Sequence, residues 1–139
     1  MTITVITGTT NGIGLVTAKE LAKQGHQLIM LCRNPDAAQS LIEQINLETP
    51  GSNVTTINCD LASLESIKTC INTLKQEVDR IDLLINNAGL IAPTDSRSQD
   101  GFELSIAVNH IGPFFLTRSL EQLLTGGQVI NIALISDIY

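Results

Sequence analysis

Residues 7–14 read TGTTNGIG. Three glycines at this spacing, Gly8, Gly12 and Gly14, can bring backbone N–H groups up to a phosphate. Gly8 can take the positive φ that a sharp turn requires. Gly12 removes a side chain from the path to a pyrophosphate, and Gly14 lets the following helix pack close to the preceding strand. The free N–H groups and the positive dipole end of that helix then face the anion. Thr10, Asn11 and Ile13 complete the turn and are expected to touch the same ligand. A glycine triplet alone also fits a plain tight turn. Its place between the first strand and first helix of a βαβ unit favours a dinucleotide.

A second group follows the second strand, in LIMLCRNP. Many NAD sites carry an acid there for the ribose 2′-hydroxyl. This chain has Cys32, then Arg33 and Asn34. Arg33 can pair bidentately with a 2′-phosphate, which an acid would repel, so NADP is expected over NAD. The end of the sequence, GQVINIALISDIY, carries Ser136 and Tyr139, two hydroxyls of the kind that polarise and protonate a carbonyl. A Tyr phenol has a pKa of about 10. It becomes a useful donor or base near neutral pH only beside a cation. No Lys neighbours Tyr139 in sequence, so it reads as tail rather than catalyst.

The elements that must position these groups are short and regularly spaced. ITVIT, from Ile3 to Thr7, is a β-branched run suited to a strand buried on both faces. GLVTAKELAKQG reads as a helix that Gly25 ends. HQLIMLC is a second strand, and DAAQSLIEQINLE a helix with Pro35 at its start. NVTTINC, then SLESIKTCINTLKQEV with polar Ser63, Glu65 and Ser66 in its first turn, repeat the alternation. IDLLIN is the fourth strand. DGFELSIAVNHIGPFFLTRSLEQLL reads as one long helix kinked near Asn109 by Pro113, and QVINIA is the fifth strand. The pattern βαβαβαβαβ implies an α/β, Rossmann-type parallel sheet with right-handed crossovers and strand order 3-2-1-4-5. The one long loop, Leu90 to Gln99, follows the fourth strand, at the sheet end where ligands bind.

At 139 residues a single domain is expected. With 43% hydrophobic and 16% charged residues the chain is globular in composition. A net charge of −6 argues against nucleic-acid binding, which needs dense Lys and Arg. Cys32, Cys59 and Cys70 form no CxxC pair and read as buried, reduced thiols of a cytoplasmic protein, not as a disulfide or a metal site. MTITVIT has no basic lead, and no apolar run approaches the roughly 20 residues needed to cross a bilayer, so neither signal peptide nor membrane span is expected.

Four further segments complete a pattern: CDLAS, INNAG, DGFELSIAVNHIGPFFLT and QVINIA. With TGTTNGIG, these resemble the short-chain dehydrogenase/reductase family, from Thr4 to about Ile132. CRNPDAA and DGFELSIAVNHIGPFFLT are most similar to its retinol-dehydrogenase and protochlorophyllide-reductase branch. The resemblance implies a pyrophosphate turn at Gly8, Gly12 and Gly14, and a 2′-phosphate contact at Arg33. It implies that Asp60 sits near the adenine amino group with Leu61 against the ring. Asn86, Asn87, Ala88 and Gly89 would pass under the nicotinamide-side ribose. Asn109 would be the tetrad Asn that holds a water beside the active-site Lys, whereas an Asn bonding its own helix at a kink is the plainer alternative. His110 has no family role and reads as core or interface packing.

The resemblance also bears on the last residues. The family follows its fifth strand with Ser-Ser, then a Tyr-x-x-x-Lys element. Here Ala133 and Leu134 hold those serine positions, and the interval from Ser136 to Tyr139 does not fit. The expectation is an NADP(H)-binding domain of oxidoreductase lineage whose family fold is cut after strand five, catalytically incomplete by itself. A non-catalytic nucleotide-binding or scaffold protein, and half of a split oxidoreductase, stay open as alternatives. An open fifth strand and the apolar faces of LLIN and VINIA also lead to an expected homo-oligomer.

Overall fold

The computed structural model describes residues 1–133. Its strands are β1 (Ile3–Thr7), β2 (Gln27–Cys32), β3 (Asn53–Asn58), β4 (Leu83–Asn86) and β5 (Gln128–Asn131). Its helices are α1 (Gly12–Lys23), α2 (Pro35–Glu48), α3 (Leu64–Glu77), α4 (Leu104–Ile106) and α5 (Gly112–Ser119). The strands form one parallel sheet in the order β3-β2-β1-β4-β5, the α/β Rossmann-type arrangement the alternation implies.

The apolar pattern explains this layering. All five residues of β1 are buried, as befits the central strand. On one face, Ile6, Leu28, Met30 and Ile85 pack with Ala18 and Ala22 of α1 and Leu41 and Ile45 of α2. On the other, Val5, Ile29 and Leu84 pack with Ile67, Cys70 and Leu74 of α3 and Leu116 of α5. Each such fully buried Leu, Ile or Met contributes about 1.5–3 kcal/mol. β4 is therefore covered, contrary to the expectation that LLIN faces water. The exposure is confined to β5, where Val129, Ile130 and the following Ile132 are 40%, 43% and 40% exposed.

Helix ends follow local chemistry. Gly25, at φ 81°, closes α1: its N–H bonds the Ala22 carbonyl (3.1 Å) and the His26 N–H bonds that of Leu21 (3.2 Å). Asn34 caps α2, its Oδ1 accepting from the N–H groups of Asp36 and Ala37. Ser63 caps α3 through the N–H of Ser66. Asp100 adds to that cap from a distant loop, its carboxylate accepting from Leu64 N–H (2.9 Å).

The long helix expected over 100–124 is the main departure. Helix begins only at Leu104, because the Glu103 carboxylate takes the N–H groups of Ser105 and Ile106 and fixes the start there. Those two bonds, Ile106 first, also hold the Glu103 pKa below its ordinary value. Residues 107–111 then form a π-helical turn where a kink was expected, and α5 ends at Ser119. Turns continue to Gly126, which sits at φ 81°.

Candidate functional site

The residues singled out by sequence gather at the carboxyl ends of β1, β2, β3 and β4. Gly8 and Gly12 both have positive φ, 70° and 57°. A β-carbon at Gly8 would lie 2.6 Å from Ala88 Cα, so β4's extension passes too close for any side chain. A β-carbon at Gly14 would overlap the Gly8 carbonyl and the Asn87 side-chain amide. Gly14 thus fits α1 against the turn and the end of β4, not only against its own strand. Gly12 faces open space, with nothing within 4 Å of a β-carbon there. Unlike α2 and α3, α1 has no side-chain cap: Asn11 makes no such bond. Its first N–H groups therefore point outward unclaimed by a cap, ready for an anion.

Thr7 and Asn87 lock turn and strand together. Thr7 Oγ1 accepts from the N–H groups of Asn87 (3.1 Å) and Ala88 (3.0 Å). Asn87 Nδ2 returns bonds to the carbonyls of Thr7 (3.2 Å) and Gly8 (2.9 Å). Sequence reading missed Thr7, since its partners lie 80 residues away and nothing local marks it.

Two clefts meet along Asn87, Ala88 and Gly89. The smaller, about 300 Å³, brings together Gly8, Thr10, Asn11, Arg33, Asp60 and Leu61. The larger, about 570 Å³, runs past Ile13, Asn86 and Asn109 to Thr117 and Ala133. Asn34 lines neither: its side-chain oxygen is engaged as the α2 cap. Asp60 is anchored, its N–H donating to Ser66 Oγ (2.8 Å) and its carboxylate accepting from Ala62 N–H (2.9 Å). Burial pushes the Cys32 thiol pKa up, against a bond to Thr9, whose Oγ1 is 3.4 Å from Cys32 Sγ. All three cysteines are buried and free, and a hydrogen bond with Cys59, then burial, raises that of Cys70.

Asn109 sits in the π-helical turn with both amide atoms engaged. Its Oδ1 accepts from Leu90 N–H (2.8 Å) and its Nδ2 donates to the Leu90 carbonyl (2.7 Å). It therefore bonds the loop after β4 rather than its own helix. His110 is not in the core; it is exposed and stacks on Phe114 with ring centroids 6.4 Å apart, at the wall of the larger cleft. Asn86, 5% exposed, donates from Nδ2 to Thr117 Oγ1 and Asn131 Oδ1. Leu134, Ser136 and Tyr139 lie outside the described residues. Among the described residues no helix is long and apolar enough to cross a membrane.

These features fit a dinucleotide: an uncapped helix start, a glycine turn open at Gly12, and a split cleft bridged by one backbone segment. Comparison with known proteins agrees. The short chain dehydrogenase family matches residues 2–136. Human retinol dehydrogenase 13 is 37% identical over 132 residues, 93% of this chain and 40% of that protein. The chloroplastic protochlorophyllide reductase of Marchantia paleacea is 38% identical over 122 residues, 85% of this chain and 26% of that protein. A metagenomic short-chain oxidoreductase solved in complex with NADP superposes with a TM-score of 0.81 at 25% identity, covering 97% of this chain and 63% of that one. The chain thus spans well under half the length of the curated relatives it matches.

Proposed function

Because the chain belongs to the short-chain dehydrogenase family, we propose that its two joined clefts hold NADP(H), in preference to NAD(H), as the cofactor site of an oxidoreductase. The observation that carries this is the meeting of the clefts at Asn87–Gly89 beside the uncapped start of α1. The smaller cleft takes the adenosine half: Arg33 pairs with the 2′-phosphate, while Asp60 and Leu61 wall the adenine. The pyrophosphate crosses Gly8–Gly14 and meets the N–H groups of α1. The larger cleft takes the nicotinamide half, which when bound supplies or accepts a hydride. Thr7 and Asn87 hold the shared segment in place, and Asn109 ties the following loop to the helix above it. Three buried, free thiols suit a reducing compartment such as the cytoplasm.

Calorimetric titration tests the cofactor. NADPH is expected to bind more tightly than NADH, and Arg33→Asp to weaken NADPH by about 1–3 kcal/mol, the scale of a charge-assisted bond. Equal affinity for both, unmoved by the change, would overturn the assignment.

We propose further that these 139 residues by themselves bind but do not turn over. The larger cleft is lined by neither Tyr nor Lys among the described residues, and in sequence Leu134 stands where the family carries its serine, with no Tyr-x-x-x-Lys element within the 139 residues. Incubation with NADPH and a panel of aldehydes and ketones should consume no cofactor above background. Steady consumption that Tyr139→Phe abolishes would refute this.

β5 supports the proposed self-association. Its side chains are exposed, and its outer edge has no partner strand among the described residues. QVIN carries no Pro, Lys or other charge to discourage pairing. Light scattering at micromolar concentration is expected to give at least a dimer mass. A monomer mass that persists on concentration would exclude it.

A further inference from the structure

We infer that Gly112 is a positioning residue that couples the adenine wall to the helix carrying Asn109. The inference rests on the proposed cofactor site. A β-carbon at Gly112 would lie 2.5 Å from the Leu61 carbonyl oxygen and 3.2 Å from Leu61 Cβ, so the start of α5 rests directly on the backbone of the adenine wall. Gly112 is also where the π-helical turn closes, its N–H donating to the Ala107 carbonyl. That carbonyl oxygen would be 3.0 Å from the same β-carbon, so a side chain is crowded from both sides.

The turn straddles the two clefts. Val108 lines the smaller one, whereas Asn109 and His110 line the larger. Single π-helical turns within α-helices are frequent at functional sites. The wall beneath is held from behind, since Asp60 N–H is fixed to Ser66 Oγ and Leu64 N–H to Asp100. A ligand that seats against Asp60 and Leu61 therefore bears on Gly112 and Val108, and through the turn on Asn109 and its bonds to Leu90. An empty adenine pocket leaves that support free to shift. Filling it fixes the height of the helix over the other cleft.

Hydrogen exchange of the whole chain tests this, with adenosine 2′,5′-bisphosphate as a probe that reaches only the smaller cleft. Saturating probe should slow exchange of amides at 109–112 about fivefold or more, the lower end of typical coupling between sites. In Gly112→Ala, measured at a probe concentration that saturates the variant, exchange at 109–112 no longer responds. If the variant does not fold, the parent protein decides alone: protection confined to residues of the smaller cleft overturns the inference. Protection at 109–112 that survives Gly112→Ala overturns the role of Gly112. Failure of NADPH itself to bind would instead remove the cofactor reading on which this stands.

Discussion

Gly14→Ala is expected to lower the unfolding free energy by about 3 kcal/mol, at the upper end of the usual cost of overpacking. The added methyl meets the Gly8 carbonyl and the Asn87 amide, and the Gly8 carbonyl carbon at 2.8 Å. These are backbone and clamped groups, not the free end of a flexible side chain. Either α1 lifts from the turn or the turn parts from β4. Dinucleotide binding should fall with stability, since both sides of the pyrophosphate site move. Gly12→Ala is the control. It meets nothing within 4 Å, so its main cost is the left-handed backbone, about 1–2 kcal/mol. Urea denaturation with calorimetry separates the two: Gly14→Ala lowers stability most, whereas Gly12→Ala chiefly loses ligand. A Gly14→Ala midpoint equal to the parent's would show that the close approach is not a constraint.

Thr7→Val should cost about 2–4 kcal/mol although it nearly preserves shape. It leaves the N–H groups of Asn87 and Ala88 without their acceptor, and each partly buried orphan costs about 1–3 kcal/mol. The loosened segment is the one both clefts share, so NADPH affinity should drop at least tenfold along with stability. Thr7→Ser keeps the hydroxyl and should restore most of both. A Val variant as stable as the parent, or a Ser variant as poor as Val, would show that the hydroxyl is not what holds β4 to the turn.

Much of this architecture could be read from the sequence because its signals are local. The strands are short runs rich in β-branched and apolar residues between turn residues, and the positive-φ glycines fall where the turn needs them. The broken helix after β4 could not be read in the same way. Apolar spacing from Leu104 to Leu120 suits one helix, whereas the π-helical turn coincides with two distant contacts, Gly112 on Leu61 and Asn109 on Leu90. Asn34 carries a local signal of a different kind: its place before Pro35 and Asp36 marks it as a cap, and its Oδ1 serves as one. Thr7 was hidden by its setting, a hydroxyl at the end of an apolar strand whose partners come 80 residues later.

The position of β1 also dictates a timetable. One of its edges pairs with β2, but the other waits for β4, and Ile3 meets Asp82 across 79 residues of chain. At synthesis rates of about 5–20 residues per second, that wait is roughly 4–16 s. Throughout it, ITVIT presents an open β-branched edge with neither Pro nor charge. Parallel pairing over such separations is also slow to form once the strand arrives. Soluble yield therefore depends on what meets this edge first during synthesis, β4 or another nascent chain. Slower translation lengthens that exposure, and a chaperone holding the first three strands covers it.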